Sequence, residues 1–319
     1  MGKILVTRHL PAGGLDPLRG HELVQRERDV AYSHRDLLAA GADVDAIVCL
    51  LTDAIDAEVI AAAPRLRAVG NVAVGYDNVD VDAAARAGVA VCNTPGVLDE
   101  TTADVAFGLV IAASRLFGDA ERDLRAGRWR GWSITQYLGV DVHGATLGLV
   151  GFGRIGRAVA RRGAGFGMRV LHHARRDTGE PGYVASLDEL LAEADVVSLH
   201  VPLSPVTRHL IGRRELALMR PTAVLVNTSR GPVVDEQALA EALESGQVFA
   251  AGLDVFEEEP RVHPRLLAAP RAVLLPHVGS GSRQTRTRMA RLAAEGVRAV
   301  LAGERPANLV SPPVPGSTP

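Results

Sequence analysis

Short apolar runs recur along the chain, each followed by a stretch whose apolar residues return at helical spacing. In the first part of the chain, Lys3–Thr7, Ala46–Leu51, Arg67–Val74 and Ala90–Asn93 read as strands, with helices at Arg35–Ala40 and Val81–Ala87. From Thr146 the rhythm resumes. Leu147–Val150, Arg169–His173, Val196–His200, Ala223–Asn227, Ala250–Asp254 and Ala272–Pro276 read as strands, with helices such as Ser186–Ala194 and Asp235–Ser245 between them. Runs this apolar, alternating with helices, predict α/β architecture with parallel sheets covered on both faces. Ser186 and Asp235 stand where a short polar side chain can cap a first helical turn. Between the two series, Asp99–Arg115 reads as a long helix, acidic at its start and basic at its end, as the helix dipole favours. Helical spacing continues from Asp119 to Gly131, and an irregular arm with Trp129 and Trp132 follows. Tryptophans on an arm outside any obvious core point to a subunit contact. Ser282–Ala302 forms a last long helix that can lead back to the first series, making that domain discontinuous.

One stretch organises the second series. The strand ending at Val150 runs into Gly151-Phe152-Gly153-Arg154-Ile155-Gly156, and a helical pattern begins at once, with Ile155, Val159 and Ala160 on one side. In a dinucleotide site the first glycine permits the tight turn, the second lets a pyrophosphate approach the backbone, and the third lets helix and strand pack closely. The helix N-terminus then holds the diphosphate on free N–H groups. About twenty residues on, the next strand ends beside the adenosine ribose. Its tip here is Ala174-Arg175-Arg176, where an NAD site would carry Asp or Glu. Guanidinium groups pair with a 2′-phosphate that a carboxylate would repel, so the expected cofactor is NADP(H), with NAD(H) possible. The other reading makes Arg175 and Arg176 a solvated turn and gives the ribose to Asp177.

Length and composition exclude several classes. The 319 residues are enough for two domains, 47% are hydrophobic, and the net charge of −2 with no polybasic run suggests neither nucleic acid nor a membrane surface as partner. No apolar run reaches membrane-spanning length, and the strand at the N-terminus is too short for a signal segment. Cys49 and Cys92 sit in apolar strand-like runs, so buried thiols in a reducing cytoplasm are expected. No metal site is expected, and Ser311–Pro319 reads as a disordered tail.

Ligands of such sheets gather at the carboxyl ends of the strands. There the sequence places Thr228-Ser229-Arg230-Gly231, then Asp254 with Glu257-Glu258-Glu259-Pro260, then Pro276-His277-Val278-Gly279-Ser280. Reduction of a 2-oxo acid needs these residue types. A guanidinium binds the carboxylate and polarises the carbonyl. An imidazolium supplies the proton, and a carboxylate behind it orients the ring and favours its charged form. Of the three glutamates, at most one should be catalytic. Gly75, in Asn71–Val79, could expose backbone N–H groups to an anionic substrate, or be a plain turn glycine.

These motifs (GFGRIG, SRG at Ser229–Gly231, DVFEEEP at Asp254–Pro260 and PHVGS at Pro276–Ser280) make the chain similar over essentially its full length to the D-isomer-specific 2-hydroxyacid dehydrogenase family. The resemblance implies two doubly wound domains. A Rossmann dinucleotide-binding domain at 99–284 would be inserted in a discontinuous flavodoxin-like substrate domain made of 1–98 and 285–319. It implies Arg230, Glu259 and His277 as the catalytic residues. Cofactor contacts would come from Gly151, Phe152, Gly153, Arg154, Ile155, Gly156, Ala174, Arg175, Arg176, His200, Pro202, Thr207, Thr228, Asp254, His277, Gly279 and Thr102, with Asp254 supporting the nicotinamide. Within the family, NVAVGYDNVD, CNTPGVLDETTADVAFG and GRWRGW resemble the glyoxylate/hydroxypyruvate reductase branch, whose members are homodimers using NADPH or NADH. This implies substrate contacts from Leu51, Val74, Gly75, Arg230, His277 and Ser280, and from Trp132 of a partner subunit. Val74 stands where phosphite-oxidising relatives carry lysine, which argues against that activity. The expected reaction is NADPH-dependent reduction of glyoxylate or hydroxypyruvate to glycolate or D-glycerate. The alternatives are another D-2-hydroxyacid dehydrogenase, such as a 2-ketogluconate or phenylpyruvate reductase, and a cofactor-sensing regulator of the corepressor type. All three catalytic positions are intact, which argues against the regulator.

Overall fold

The computed structural model describes residues 1–310; the tail expected to be disordered lies outside the described residues. The chain forms two compact units, Met1–Leu98 together with the residues from Ser280 onward, and Asp99–Gly279.

The first unit is a parallel sheet of β1 (Lys3–Val6), β2 (Glu22–Val24), β3 (Ala46–Cys49), β4 (Ala68–Asn71) and β5 (Ala90–Cys92), in the order β2-β1-β3-β4-β5. This is the flavodoxin-like order. Every residue of β3 and β4 is buried, as a strand between two helical layers requires. The helix Arg283–Leu301 lies against β4, where Gly70 leaves room for Val297 and the Ala293 carbonyl. Both cysteines are free and buried, and burial pushes both thiols up, that of Cys92 to about 12, which leaves them unreactive.

The second unit is a parallel sheet of β6 (Thr146–Val150), β7 (Arg169–His173), β8 (Val196–Leu199), β9 (Val224–Asn227), β10 (Ala250–Leu253) and β11 (Ala272–Leu274), in the order β11-β10-β9-β8-β6-β7. A single rung between His172 and Tyr183 extends the sheet beyond β7. The strand order reverses between β6 and β8, the switch point where ligands bind in doubly wound sheets. The helix Asp99–Ser114 packs on β9 and β10, with Leu109 filling the space that Gly252 leaves.

Three expectations shift. β4 ends at Asn71 rather than Val74, because residues 72–74 already bend away. The arm helix is Phe117–Arg125 and stops short of Gly131, with Gly127 left-handed at φ 65° just past its end. The edge strand Glu22–Val24, exposed or half-buried throughout, has too little apolar pattern to be read from the sequence. Among the described residues no single helix is long and apolar enough to cross a membrane.

Candidate active site

The glycine turn behaves as its spacing requires. Gly151 has φ 94°, and a Cβ there would press on the His200 carbonyl. A Cβ at Gly156 would fall on the Gly151 carbonyl, so only glycine lets the helix Arg154–Gly165 start this close to the strand. Gly153 faces open space. It is also the N-cap of that helix, with no side chain capping the first turn. The helix starts at Leu187, Glu236 and Arg283, by contrast, are capped by Ser186, Asp235 and Ser282. A bare helix start behind an open glycine is a ready phosphate cradle. Phe152 turns inward and stacks on His172 with ring centroids 3.7 Å apart, while the Arg157 guanidinium covers the Phe152 ring and pairs with Glu180. Arg154 pairs with Asp99 at 3.4 Å, and Ile155 packs into the core of the unit.

At the tip of β7, Ala174 is half-buried while Arg175 and Arg176 are exposed and form no ion pair or hydrogen bond with the described residues. Asp177 is engaged locally, its Oδ1 accepting the Gly179 N–H at 2.8 Å. Across the switch point, His200 Nε2 lies 2.9 Å from Ser198 Oγ, and burial pushes the imidazole down to about 4, so the ring is neutral. The Thr207 hydroxyl donates to the Pro202 carbonyl at 2.7 Å and so closes its own loop. The Thr228 hydroxyl oxygen is buried without a partner, an acceptor or donor held ready for something not of this chain. An open glycine, an uncapped helix start and an orphaned hydroxyl along one sheet edge fit a dinucleotide.

Arg230 follows β9. Asn227 Nδ2 donates to the Arg230 carbonyl (2.9 Å), and Asn227 Oδ1 accepts the Ser229 N–H (3.0 Å) and hydroxyl (2.7 Å). The three glutamates after β10 have three tasks. Glu258 makes a surface ion pair with Arg261, Glu257 meets His209 Nε2 at 2.9 Å, and Glu259 Oε2 lies 2.8 Å from His277 Nδ1. A carboxylate only accepts, so Nδ1 carries the proton and Nε2 is left for chemistry. Burial pushes the Glu259 carboxyl up, but the hydrogen bond and charge of His277, the Phe256 N–H and the nearby Arg230 guanidinium outweigh it and hold it below its ordinary value. That influence places Arg230 in the same neighbourhood as the pair. His277 itself has φ 54°, a left-handed backbone unusual outside glycine, of the kind that collects at functional positions. Asp254 maintains that conformation. Its two oxygens accept the Val278 and Gly279 N–H groups, each at 2.7 Å, and its carbonyl accepts the His277 N–H at 2.9 Å. Burial nevertheless raises the Asp254 carboxyl. Gly279 is hemmed in by Asp254 and the buried Thr102, so a side chain there would strain this turn.

Residues 107–279 match the sequence profile of the D-isomer specific 2-hydroxyacid dehydrogenase, NAD binding domain. A glyoxylate reductase of Korarchaeum cryptofilum (strain OPF8) is 50% identical, covering 97% of this chain and 96% of that protein. The chain belongs to the D-isomer specific 2-hydroxyacid dehydrogenase family. Among solved structures of similar proteins, one from Thermus thermophilus superposes with a TM-score of 0.92 at 45% identity, covering 97% of this chain and 100% of that one. An NADPH-dependent glyoxylate/hydroxypyruvate reductase from Sinorhizobium meliloti, in complex with NADP and malonate, gives 0.86 at 36% identity, covering 97% and 96%. This dehydrogenase is thus an oxidoreductase that binds a nicotinamide dinucleotide on its second unit.

The first unit contains Leu51, Val74, Gly75 and Ser280, which the resemblance implied as substrate contacts. Leu51 follows β3 and is half-buried. Val74 and Gly75 lie in the bend after β4, with the Val74 carbonyl accepting from Asn93 Nδ2 (2.8 Å) and the Gly75 carbonyl from Asn71 Nδ2 (2.9 Å). Both carbonyls are thereby pinned inward, and the Val74 and Gly75 N–H groups have no partner among the described residues. Ser280 opens the second segment of this unit. Trp132 is 79% exposed on the arm, with Trp129, Ile134 and Leu138 also exposed. Sequence reasoning passed over Asn71, Asn93, Asn227 and Glu236. The available signal was an asparagine closing an otherwise apolar strand, as in AVGN and VLVN.

Proposed function

We propose that this dehydrogenase reduces glyoxylate or hydroxypyruvate with NADPH, giving glycolate or D-glycerate. The single observation that carries the reading is the 2.8 Å hydrogen bond between His277 Nδ1 and Glu259 Oε2. When bound, the reduced nicotinamide supplies hydride to the carbonyl carbon. Arg230 holds the substrate carboxylate and draws charge from the carbonyl. His277 gives the proton on Nε2 to the carbonyl oxygen, so that no alkoxide has to persist. Glu259 stays charged and, through its bond to Nδ1, keeps the ring oriented.

The unpaired Arg175 and Arg176 support NADPH over NADH, since their guanidinium groups are available for a 2′-phosphate while Asp177 is occupied with its own turn. That similar proteins are a glyoxylate reductase and a glyoxylate/hydroxypyruvate reductase supports a small 2-oxo acid as substrate. The exposed arm with Trp129 and Trp132 supports a homodimer in which Trp132 reaches the partner's substrate pocket, and the buried free thiols support a cytoplasmic location.

The test is cofactor oxidation over a panel of glyoxylate, hydroxypyruvate, 2-ketogluconate and phenylpyruvate, run with NADPH and NADH. Highest kcat/KM on one of the first two acids with NADPH is expected. A clear preference for NADH overturns the cofactor assignment, preference for a larger acid moves the protein to another branch, and no turnover on any acid favours the regulator.

A further inference from the structure

We propose that Glu236 is a positioning residue, whose carboxylate fixes the loop bearing Glu259 and, through Glu259, the imidazole of His277; this rests on the roles given to that pair above. Glu236 is the first residue of the helix Glu236–Ser245 and only 6% exposed. The helix does not need it as a cap, because Asp235 already accepts the Ala238 N–H at 2.9 Å. Instead both oxygens leave the helix. Oε1 accepts the Glu257 N–H at 2.6 Å and Oε2 accepts the His263 N–H at 3.1 Å. Glu259 lies between those two anchor points. The bond is returned, since the Glu236 N–H donates to Glu257 Oε1 at 2.9 Å, while Glu257 Oε2 is held by His209.

The same clamp ties the loop to the segment that carries Arg230. Gly231 packs directly on the Phe256–Glu257 peptide, with no space for a Cβ. Five residues after Gly231 the chain reaches Glu236. Arg230 and Glu259 therefore stand on two loops locked to each other by bare backbone contact and by one buried carboxylate. Burying a carboxylate costs stability that an apolar side chain would not. Spending both of its oxygens on one loop supplies what such a side chain cannot, a fixed place for the loop in two directions. A displacement of about 1 Å in a reacting constellation can cost about 100-fold in rate.

The experiment uses the full chain and Glu236→Gln, which keeps the volume but turns one acceptor into a donor facing an N–H. The readouts are reductive kcat, the KM for NADPH, and the low-field proton resonance of the His277–Glu259 hydrogen bond in substrate-free protein, assigned by its loss in Glu259→Gln. Glu236→Gln is expected to lower kcat by about 10- to 100-fold, to leave the KM for NADPH within about twofold, and to broaden or abolish the resonance. Leu239→Ala, in the same helix and fully buried, is the stability control: it should lower Tm and keep both kcat and the resonance. Parental kcat and resonance in Glu236→Gln overturn the proposal, as does their equal loss in Leu239→Ala. If the parent reduces no 2-oxo acid, the functional reading fails alone, and the resonance still decides: its loss in Glu236→Gln supports the clamp and its persistence refutes it.

Discussion

The two units are built alike, parallel strands between helical layers, yet they finish their strands differently. In the first unit the strand ends carry side chains spent inward. Asn71 and Asn93 hold loop carbonyls, and the buried Asp53 accepts the Thr7 hydroxyl (2.5 Å) and the Leu50 N–H (2.8 Å). Its helix starts are capped by Ser33, Asp56 and Asp80. In the second unit the helix after β6 starts uncapped, and Arg230, Glu259 and His277 stand on neighbouring loops, whereas a buried hydroxyl without a partner occurs in both units, at Thr94 and at Thr228. Shared architecture therefore says little about chemistry; what differs is which helix start is left uncapped behind an open glycine and which charged side chains the strand ends carry.

The contrast yields graded expectations. His277→Ala removes the proton donor and should lower reductive kcat by about 100- to 10,000-fold in the NADPH-oxidation assay; near-parental turnover would end the acid role. Gly153→Ala should fold normally, because nothing lies near the new Cβ, but raise the KM for NADPH about tenfold (~1.4 kcal/mol) by crowding the diphosphate. Gly156→Ala instead drives Cβ into the Gly151 carbonyl and should cost about 1–3 kcal/mol of stability by denaturant unfolding. If both variants behave alike, the division between an open cradle and a tight packing point is wrong. In the first unit, Asn93→Ala releases the Val74 carbonyl and should raise the KM for the 2-oxo acid by about threefold to tenfold at constant kcat; an unchanged KM would detach this loop from substrate.

The smallest effect concerns pH. His200 is neutral in the fold because burial lowers it from 6.5 to about 4. The unfolded chain takes up that proton first, so this contribution is complete above pH 6.5 and is lost as pH falls toward 4. His200 as a whole residue is half-buried, so we expect about 2 kcal/mol over that window. Urea unfolding at pH 7 and pH 4.5 should show a smaller drop for His200→Gln than for the parent; equal drops would remove His200 as the cause.

The sheets were legible because buried parallel strands are apolar on both faces and glycine spacing is local. The assignment of Glu259 over Glu257 and Glu258 was not readable from the residues alone; three adjacent carboxylates look the same until His209, Arg261 and His277 arrive from elsewhere in the chain to divide them. Glu236 was invisible for the same reason, since its partners are backbone N–H groups 21 and 27 residues away. The end of the arm helix was misread because helical spacing persists past Arg125 while Gly127 breaks the backbone.

The helix Arg283–Leu301 belongs to a sheet whose strands are all encoded before residue 93. During synthesis, β4 leaves the ribosome long before Val297 exists to cover Gly70. The unit begun first is thus the one closed last, after the whole second unit has emerged and can fold as a block. A nascent chain arrested at Gly279 would carry a finished nucleotide-binding half beside an uncovered sheet, the species most in need of a chaperone.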